Sequence, residues 1–393
     1  MSAGRVVVAG GGLGALRTVE ALRAQGWPGE ILVVGDEIYA PYNRPPLSKQ
    51  LLLTEPDHKA VAFKLRQSIS DVTWRLGTRV EHADLMAHQL TLSDGSHITY
   101  DALVAATGVR ARRLAPAAGR LDCHALRTLD DCTGLRRALV PGCRVVVVGA
   151  GFIGCEAATA LRAAGFGVDV VECDQEAMQR PLGPIIGGAI RARHEALGVR
   201  FHLGRRVLDI VGPAGSPVVV LDDGRELPCA AVIQAVGSIP NTEWLEGNGL
   251  DLTDGVVCDS DLRVPGFDDV FAIGDVARFP NALYDDAPNR CEHWQMSILT
   301  AKRAATSIVA ALQREHHETT AFAPVPWFWS DQDQVKLQAY GRPGTGTEMN
   351  IVEGSLDGDL IARFVREGRV VGVVLVGLAH RAAQYRDSIG VPA

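Results

Sequence analysis

The feature that most constrains the fold is a device that occurs twice. "RVVVAGGGLGALRTVEALRAQGWPGEILVVGDE", Arg5 to Glu37, runs from an apolar stretch into Gly10-Gly11-Gly12-Leu13-Gly14-Ala15. It continues with a helical spacing of Leu16, Val19 and Leu22 and closes on a second apolar stretch. "RVVVVGAGFIGCEAATALRAAGFGVDVVECD", Arg144 to Asp174, repeats the pattern around Gly149-Ala150-Gly151-Phe152-Ile153-Gly154. Each copy predicts strand, tight turn, helix, strand. The first glycine makes the turn, and the second lets a pyrophosphate reach the backbone. The third position needs a small residue where helix and strand pack closely, and Ala15 takes that place in the first copy. The helix start then offers N–H donors and the positive end of its dipole to phosphate. An acid at the end of the second strand, Asp36 or Glu37 in one copy and Glu172 in the other, suits a ribose 2′-hydroxyl. One such motif is weak evidence. Two, each between strand and helix and each followed by an acid, predict two dinucleotide sites, for FAD and a nicotinamide. The Glu172 carboxylate repels a 2′-phosphate, so NADH is expected over NADPH, with Arg180 close in sequence as the opposing influence.

A chain of 393 residues exceeds one ordinary domain, and its 47% apolar and 22% charged residues suit a globular protein. A net charge of −7 argues against a nucleic-acid partner, which needs a basic face. The N-terminus enters a strand pattern at once, so no signal peptide is expected. The late apolar run Val370 to Ala379 is too short for a membrane helix. The cysteines, at 123, 132, 143, 155, 173, 229, 258 and 291, include no Cys-x-x-Cys and no zinc-like spacing. Neither a metal site nor a disulfide framework is expected, and a cytoplasmic setting fits best.

With both nucleotide units in place, the chain resembles the two-dinucleotide flavoprotein family that includes glutathione reductase. "YDALVAATG", ending in Ala106-Thr107-Gly108, and "CAAVIQAVGSIPNT", containing Val236-Gly237, resemble its two crossover segments. "VFAIGDVARF" resembles its late FAD motif, in which Gly274-Asp275 would meet the ribityl chain. The resemblance implies an α/β fold with two Rossmann-like domains and a small α+β C-terminal domain. The FAD-binding domain would be split between residues 1–112 and 246–322, the NAD-binding domain would span 113–245, and the C-terminal domain 323–393.

Disulfide reductases of this family carry cysteines after the second strand of the FAD unit. This chain instead has "YAPYNRPPLSKQLL", Tyr39 to Leu52, and thiol relay chemistry is excluded there. The stretch is similar to the "PYxRPPLSK" signature of ferredoxin and rubredoxin reductases that serve P450s and Rieske-type dioxygenases. Pro45-Pro46 would stiffen a loop along the flavin, Arg44 would fork onto phosphate or flavin oxygens, and Lys49 would reach the flavin ring. The resemblance places Glu156 near the nicotinamide, paired with Lys49, and this pair is the best catalytic candidate; a helix-start glutamate favoured by the dipole is the plainer alternative. Arg127 and Val80 match FAD contacts, Val80 by its backbone. "CEHWQMSILT" resembles the "EHW" helix start, with Glu292, His293 and Trp294 at the flavin's pyrimidine side. His293 suits helix-entry packing better than base catalysis. Met296-Ser297 and Thr300 depart from the family pattern, which puts hydrogen bonding at the flavin edge in doubt.

The C-terminal "PWFWSDQ", Pro326 to Gln332, resembles the family's "PxFWSDQ". Strand alternation turns Phe328 inward and leaves Trp327 and Trp329 on the other face. The resemblance places Trp329 by the isoalloxazine as a third catalytic candidate, with Asp331 and Gln332 fixing the loop. Arg363, Arg366 and Arg369 suit a solvated face, or the docking of an acidic ferredoxin. The implied reaction is ping-pong, with hydride arriving from NADH and electrons leaving singly to an iron–sulfur ferredoxin. The protein is expected to be a monomer or weak homodimer. Another acceptor (rubredoxin, a quinone, monodehydroascorbate) and an NADH-sensing flavoprotein resembling apoptosis-inducing factor remain alternatives. An NADH oxidase is disfavoured by the absent cysteine.

Overall fold

A computed structural model describes residues 4–313 and 321–393. The remaining residues of the expected FAD-binding segments, 1–3 and 314–320, lie outside the described residues. The chain forms two compact units. One comprises Met1–Asn43, Val61–Arg110 and Ile239–Pro326, and the other Arg44–Ala60, Ala111–Ser238 and Trp327–Ala393.

In the first unit a parallel sheet runs in the order Val270–Ala272, Ala102–Ala105, Arg5–Ala9, Glu30–Gly35, Thr73–Leu76. The apolar runs of the sequence are continuous rather than alternating because these strands are covered on both faces. Val6, Val7 and Val8 are fully buried, as are Leu16, Val19 and Leu22 on the helix Leu13–Ala24. Each such side chain contributes roughly 1.5–3 kcal/mol by leaving water. A small antiparallel sheet, Val80–Asp84, Gln89–Leu92 and His97–Thr99, completes the unit's N-terminal part.

The second unit repeats the arrangement. Its parallel sheet runs Arg200–Leu203, Gly167–Glu172, Arg144–Val148, Ala231–Gln234, Cys123–Ala125. The repeated motif therefore lies at the centre of each sheet, and its helix, Leu13–Ala24 or Phe152–Ala163, starts at the strand's carboxyl end. That is where ligands bind in open α/β sheets.

The same unit carries an antiparallel sheet ordered Trp327–Gln332, Val335–Gly341, Arg369–Val376, Leu360–Arg366, Glu348–Gly354. The central strand Arg369–Val376 is buried from Val370 to its end. It is the late apolar run of the sequence. This sheet packs on the nucleotide-binding part of its unit: Phe328 meets Phe152 with ring centroids 4.7 Å apart, and Arg193 donates to the Leu356 carbonyl at 3.1 Å.

Candidate functional site

Both nucleotide motifs form open cradles. A β-carbon at Gly10, held at φ +120°, would be driven into the Ala106 carbonyl oxygen; one at Gly149, φ +100°, would be driven into that of Ala235. Only glycine suits these turns. A β-carbon at Gly12 or Gly151, by contrast, would meet nothing within 4 Å. Each of these middle glycines is the N-cap of its helix, without a side-chain cap and without an acid in the first turn. Ala15 is fully buried, and a β-carbon at Gly154 would strike the Gly149 carbonyl. Free space beside uncapped helix N–H groups suits a pyrophosphate in both units. Leu13, Gly14, Phe152 and Ile153 lie in the first turns of the same helices.

The other first-unit candidates stand at strand ends and turns. Asp36 is exposed just past Glu30–Gly35, while Glu37 accepts from the Tyr42 hydroxyl at 2.6 Å. Val80 is buried and opens the strand Val80–Asp84. Ala106, Thr107 and Gly108 follow the strand Ala102–Ala105. The Thr107 hydroxyl donates to the Asn241 carbonyl at 2.7 Å, and the Asn241 amide returns a bond to the Thr107 carbonyl at 3.0 Å. Gly274–Val276 forms a tight turn presenting Asp275. The buried Thr300 accepts from the Gly274 N–H at 3.0 Å and donates to the Met296 carbonyl at 2.6 Å. This departure from the family pattern clamps the Gly-Asp turn to the helix Trp294–Gln313. The Trp294 indole donates to Asn43 at 3.1 Å, Glu292 pairs with Arg290 at 2.6 Å, and the His293 carbonyl accepts from the Met296 N–H at 2.8 Å.

In the second unit the Glu156 carboxylate is buried on the first turns of Phe152–Ala163 and has three polar partners. Lys49 Nζ lies 2.9 Å from Oε1, Ser330 Oγ donates to Oε1 at 2.6 Å, and Ser48 Oγ donates to Oε2 at 2.5 Å. Lys49 is itself largely buried, at 16% exposure. A buried carboxylate needs such company. Pro45 opens the short helix Pro45–Ser48, which delivers Ser48 and Lys49 to the cluster. Arg44 donates one of its guanidinium N–H groups to the Arg127 carbonyl at 2.6 Å.

Glu172 accepts from the backbone N–H groups of Ala150, at 2.6 Å, and Asp174, at 3.0 Å, which draws the strand end toward the glycine turn. Arg180 pairs with Asp174 at 2.9 Å rather than with Glu172. Val236 and Gly237 follow the strand Ala231–Gln234, and the Gly237 carbonyl accepts from Arg112 N–H at 2.9 Å.

The aromatic stretch is a strand, Trp327–Gln332, and not a loop. Trp327 and Trp329 share one face, with ring centroids 5.4 Å apart, and Trp327 stacks on Tyr340 at 6.0 Å. Asp331 lies on that face, half exposed and paired with Lys336 at 3.2 Å across the turn that joins the two strands. Phe328, Ser330 and Gln332 occupy the opposite face. Gln332, fully buried, donates to Ser330 Oγ at 2.9 Å and to the Met178 sulfur at 3.4 Å. Neither Ser48 and Ser330, which donate to Glu156, nor Gln332, which donates to Ser330, was expected in this cluster from the sequence. Only strand alternation, which sets Ser330 and Gln332 on the inward side with Phe328, could have pointed to two of them.

His194, on the helix Gln179–Ala196, is fully buried beside this network. Burial pushes its imidazole down from 6.5 to about 4, with the charge of Arg193 adding to the shift and the Gln332 amide and Asp333 opposing it. The unfolded chain then takes up a proton below pH 6.5 that the folded chain refuses until about pH 4. Stability should fall as pH drops through that window, by about 2 kcal/mol at pH 5 from this group alone. Denaturant midpoints at pH 7.5 and pH 5 test it: His194→Leu should shrink the difference between them.

All eight cysteines are free thiols. Burial raises Cys132 to about 11, and burial with the neighbouring Glu172 and Glu156 charges raises the buried Cys155 further. A buried thiol held protonated is a poor nucleophile.

The sequence profile of the pyridine nucleotide-disulphide oxidoreductase family matches residues 4–301, and that of the reductase C-terminal domain matches 327–391. Rhodocoxin reductase of Rhodococcus erythropolis is 34% identical over 374 residues, covering 94% of this chain and 85% of the relative. The ferredoxin–NAD(+) reductase component of the p-cumate 2,3-dioxygenase system of Pseudomonas putida is 34% identical over 399 residues, covering 98% and 94%. The crystal structure of the covalent putidaredoxin reductase–putidaredoxin complex superposes with a TM-score of 0.90 at 30% identity, covering 99% of this chain and 94% of its counterpart.

Proposed function

The chain belongs to the pyridine nucleotide-disulphide oxidoreductase family, and from that premise we propose that it is an NADH:ferredoxin oxidoreductase. It would take a hydride from NADH and deliver single electrons to an iron–sulfur ferredoxin serving an oxygenase of the P450 or Rieske type. The relatives' names, covering nearly the full length of both chains, support this reading. The observation that carries it is the Lys49–Glu156 cluster on the helix that also opens the second cradle, in a chain with no cysteine between Tyr39 and Leu52. FAD, when bound, accepts hydride and releases electrons one at a time.

The chain's residues supply binding and orientation. The first cradle, Gly10 to Ala15, takes the FAD pyrophosphate, with Asp36 and Glu37 at the ribose and Asp275 at the ribityl chain. Val80, Ala106–Gly108 and Glu292–Trp294 line the remainder. The second cradle, Gly149 to Gly154, takes NADH, with Glu172 at the adenine ribose and Val236–Gly237 beside it. The Arg180–Asp174 pair leaves the Glu172 carboxylate to discriminate against a 2′-phosphate. Lys49 and Glu156 orient the nicotinamide. Among the described residues no helix is long and apolar enough to cross a membrane, and free thiols favour a cytoplasmic setting.

Stopped-flow mixing of the flavin-loaded protein with NADH or NADPH, followed by candidate ferredoxins, tests the reading. NADH should reduce the flavin faster, and reduced protein should then support ferredoxin-dependent cytochrome c reduction. Faster reduction by NADPH would overturn the role of Glu172, and no transfer to any ferredoxin would overturn the proposed acceptor. Trp329→Ala should slow ferredoxin reduction more than NADH oxidation; equal effects would return the ring to a packing role.

A further inference from the structure

Resting on the proposed role of the Lys49–Glu156 pair, we infer that Ser330 and Gln332 are positioning residues that hold the Glu156 carboxylate, and through it the Lys49 ammonium, in one orientation. With the Gln332 amide nitrogen on the Ser330 side, the direction of each proton follows from the chemistry of the groups. The Gln332 amide nitrogen can only donate, and its two hydrogens go to the Met178 sulfur and to Ser330 Oγ, 2.9 Å away. Ser330 Oγ is thereby an acceptor on that side. Its single proton points to its other short contact, Glu156 Oε1 at 2.6 Å. A serine hydroxyl ordinarily rotates to suit its neighbours; here Gln332 removes that freedom.

The opposite carboxylate oxygen is held separately by Ser48 at 2.5 Å, so the plane of the carboxylate is set from both sides. Lys49 Nζ, 2.9 Å from Oε1, takes its place on the lone pair that Ser330 leaves. Ser330 and Gln332 are both completely shielded from solvent, so water cannot substitute for either. Their strand is paired along its whole length with Val335–Gly341, giving the network a rigid base. Hydrogen bonds to a charged group in such surroundings are among the strong ones, and losing one frees the carboxylate to turn.

Four variants test this in two ways: Ser330→Ala, Ser330→Thr, Gln332→Met and the double Ser330→Ala/Gln332→Met. Stopped-flow traces over a range of NADH concentrations separate the limiting rate of flavin reduction from NADH affinity. Acetic anhydride labelling of the flavin-free protein, followed by mass spectrometry, reports how firmly Lys49 is held. Ser330→Ala should lower the limiting rate about tenfold with a much smaller change in affinity, and should raise Lys49 labelling by a similar factor. Ser330→Thr, which keeps the hydroxyl, should restore both. Gln332→Met conserves volume and should match Ser330→Ala, and the double variant should add nothing further because both changes break one chain of bonds. Wild-type rates and labelling in Ser330→Ala, or additive losses in the double variant, would overturn the inference. Glu156→Gln serves as the reference. If it too reduces normally, the pair itself has no role; if it is slow while Ser330→Ala and Gln332→Met are normal, only the positioning inference fails.

Discussion

Replacing Glu156 by glutamine will slow reduction of the bound flavin by NADH by roughly 10- to 100-fold, the range that small misplacements of a reacting group produce. The carboxylate accepts from two hydroxyls and an ammonium, at 2.5, 2.6 and 2.9 Å. Glutamine has the same shape but turns an amide, with hydrogens of its own, toward one of those donors. It also removes the counter-charge of Lys49, which is mostly buried. An ammonium left so placed moves toward water rather than staying in the site. The expected signature is selective: the NADH half-reaction slows, while flavin reduced chemically with dithionite still passes electrons to ferredoxin. Equal slowing of both half-reactions would mean that Glu156 holds the fold rather than the nicotinamide.

Gly12→Val will yield a folded, colourless protein. At Gly12 the backbone has φ −90° and ψ −163°, which any residue adopts, and a β-carbon there meets nothing of the protein within 4 Å. Thermal unfolding of the flavin-free variant should therefore match that of the flavin-free parent. The space the valine fills is the space the first cradle keeps for pyrophosphate, and the ligand would lose its approach to the helix N–H groups as well. FAD affinity should fall by at least about 100-fold, measured by retained absorbance after gel filtration. Gly10→Val is the contrasting case, because its β-carbon would collide with the Ala106 carbonyl and the sheet itself would suffer. Retention of flavin by Gly12→Val would place the dinucleotide elsewhere. The equivalent change at Gly151 should leave the protein yellow and unable to be reduced by NADH.

These two predictions draw on different depths of information. The cradles were visible in the chain because everything that makes them is local: an apolar run, a glycine turn and a helix within about 30 residues, the size of a βαβ unit. The face assignment along Trp327–Gln332 was legible for the same reason, since alternation follows from strand geometry alone. Other expectations depended on distant partners. Arg44 donates to the Arg127 carbonyl, a partner 83 residues away that no local pattern reveals. Thr300 looked like a weakness at the flavin edge, but a helix residue finds the Gly274 N–H only once the Gly-Asp turn is packed against it.

The sequence by itself determined the two central sheets and their helices, the open middle glycines, and the absence of a cysteine where related enzymes keep one. Each is a property of neighbouring residues, written in propensity, spacing and the size of side chains. Only the tertiary structure decided the environment of Glu156. Ser48 lies 108 residues before it and Ser330 lies 174 residues after it, and no periodicity links the three. A hydrogen bond requires its atoms to meet within a few tenths of an ångström. That precision comes from the packing of one whole unit, in which the strand Trp327–Gln332 and the turn Pro45–Ser48 converge on a single helix end.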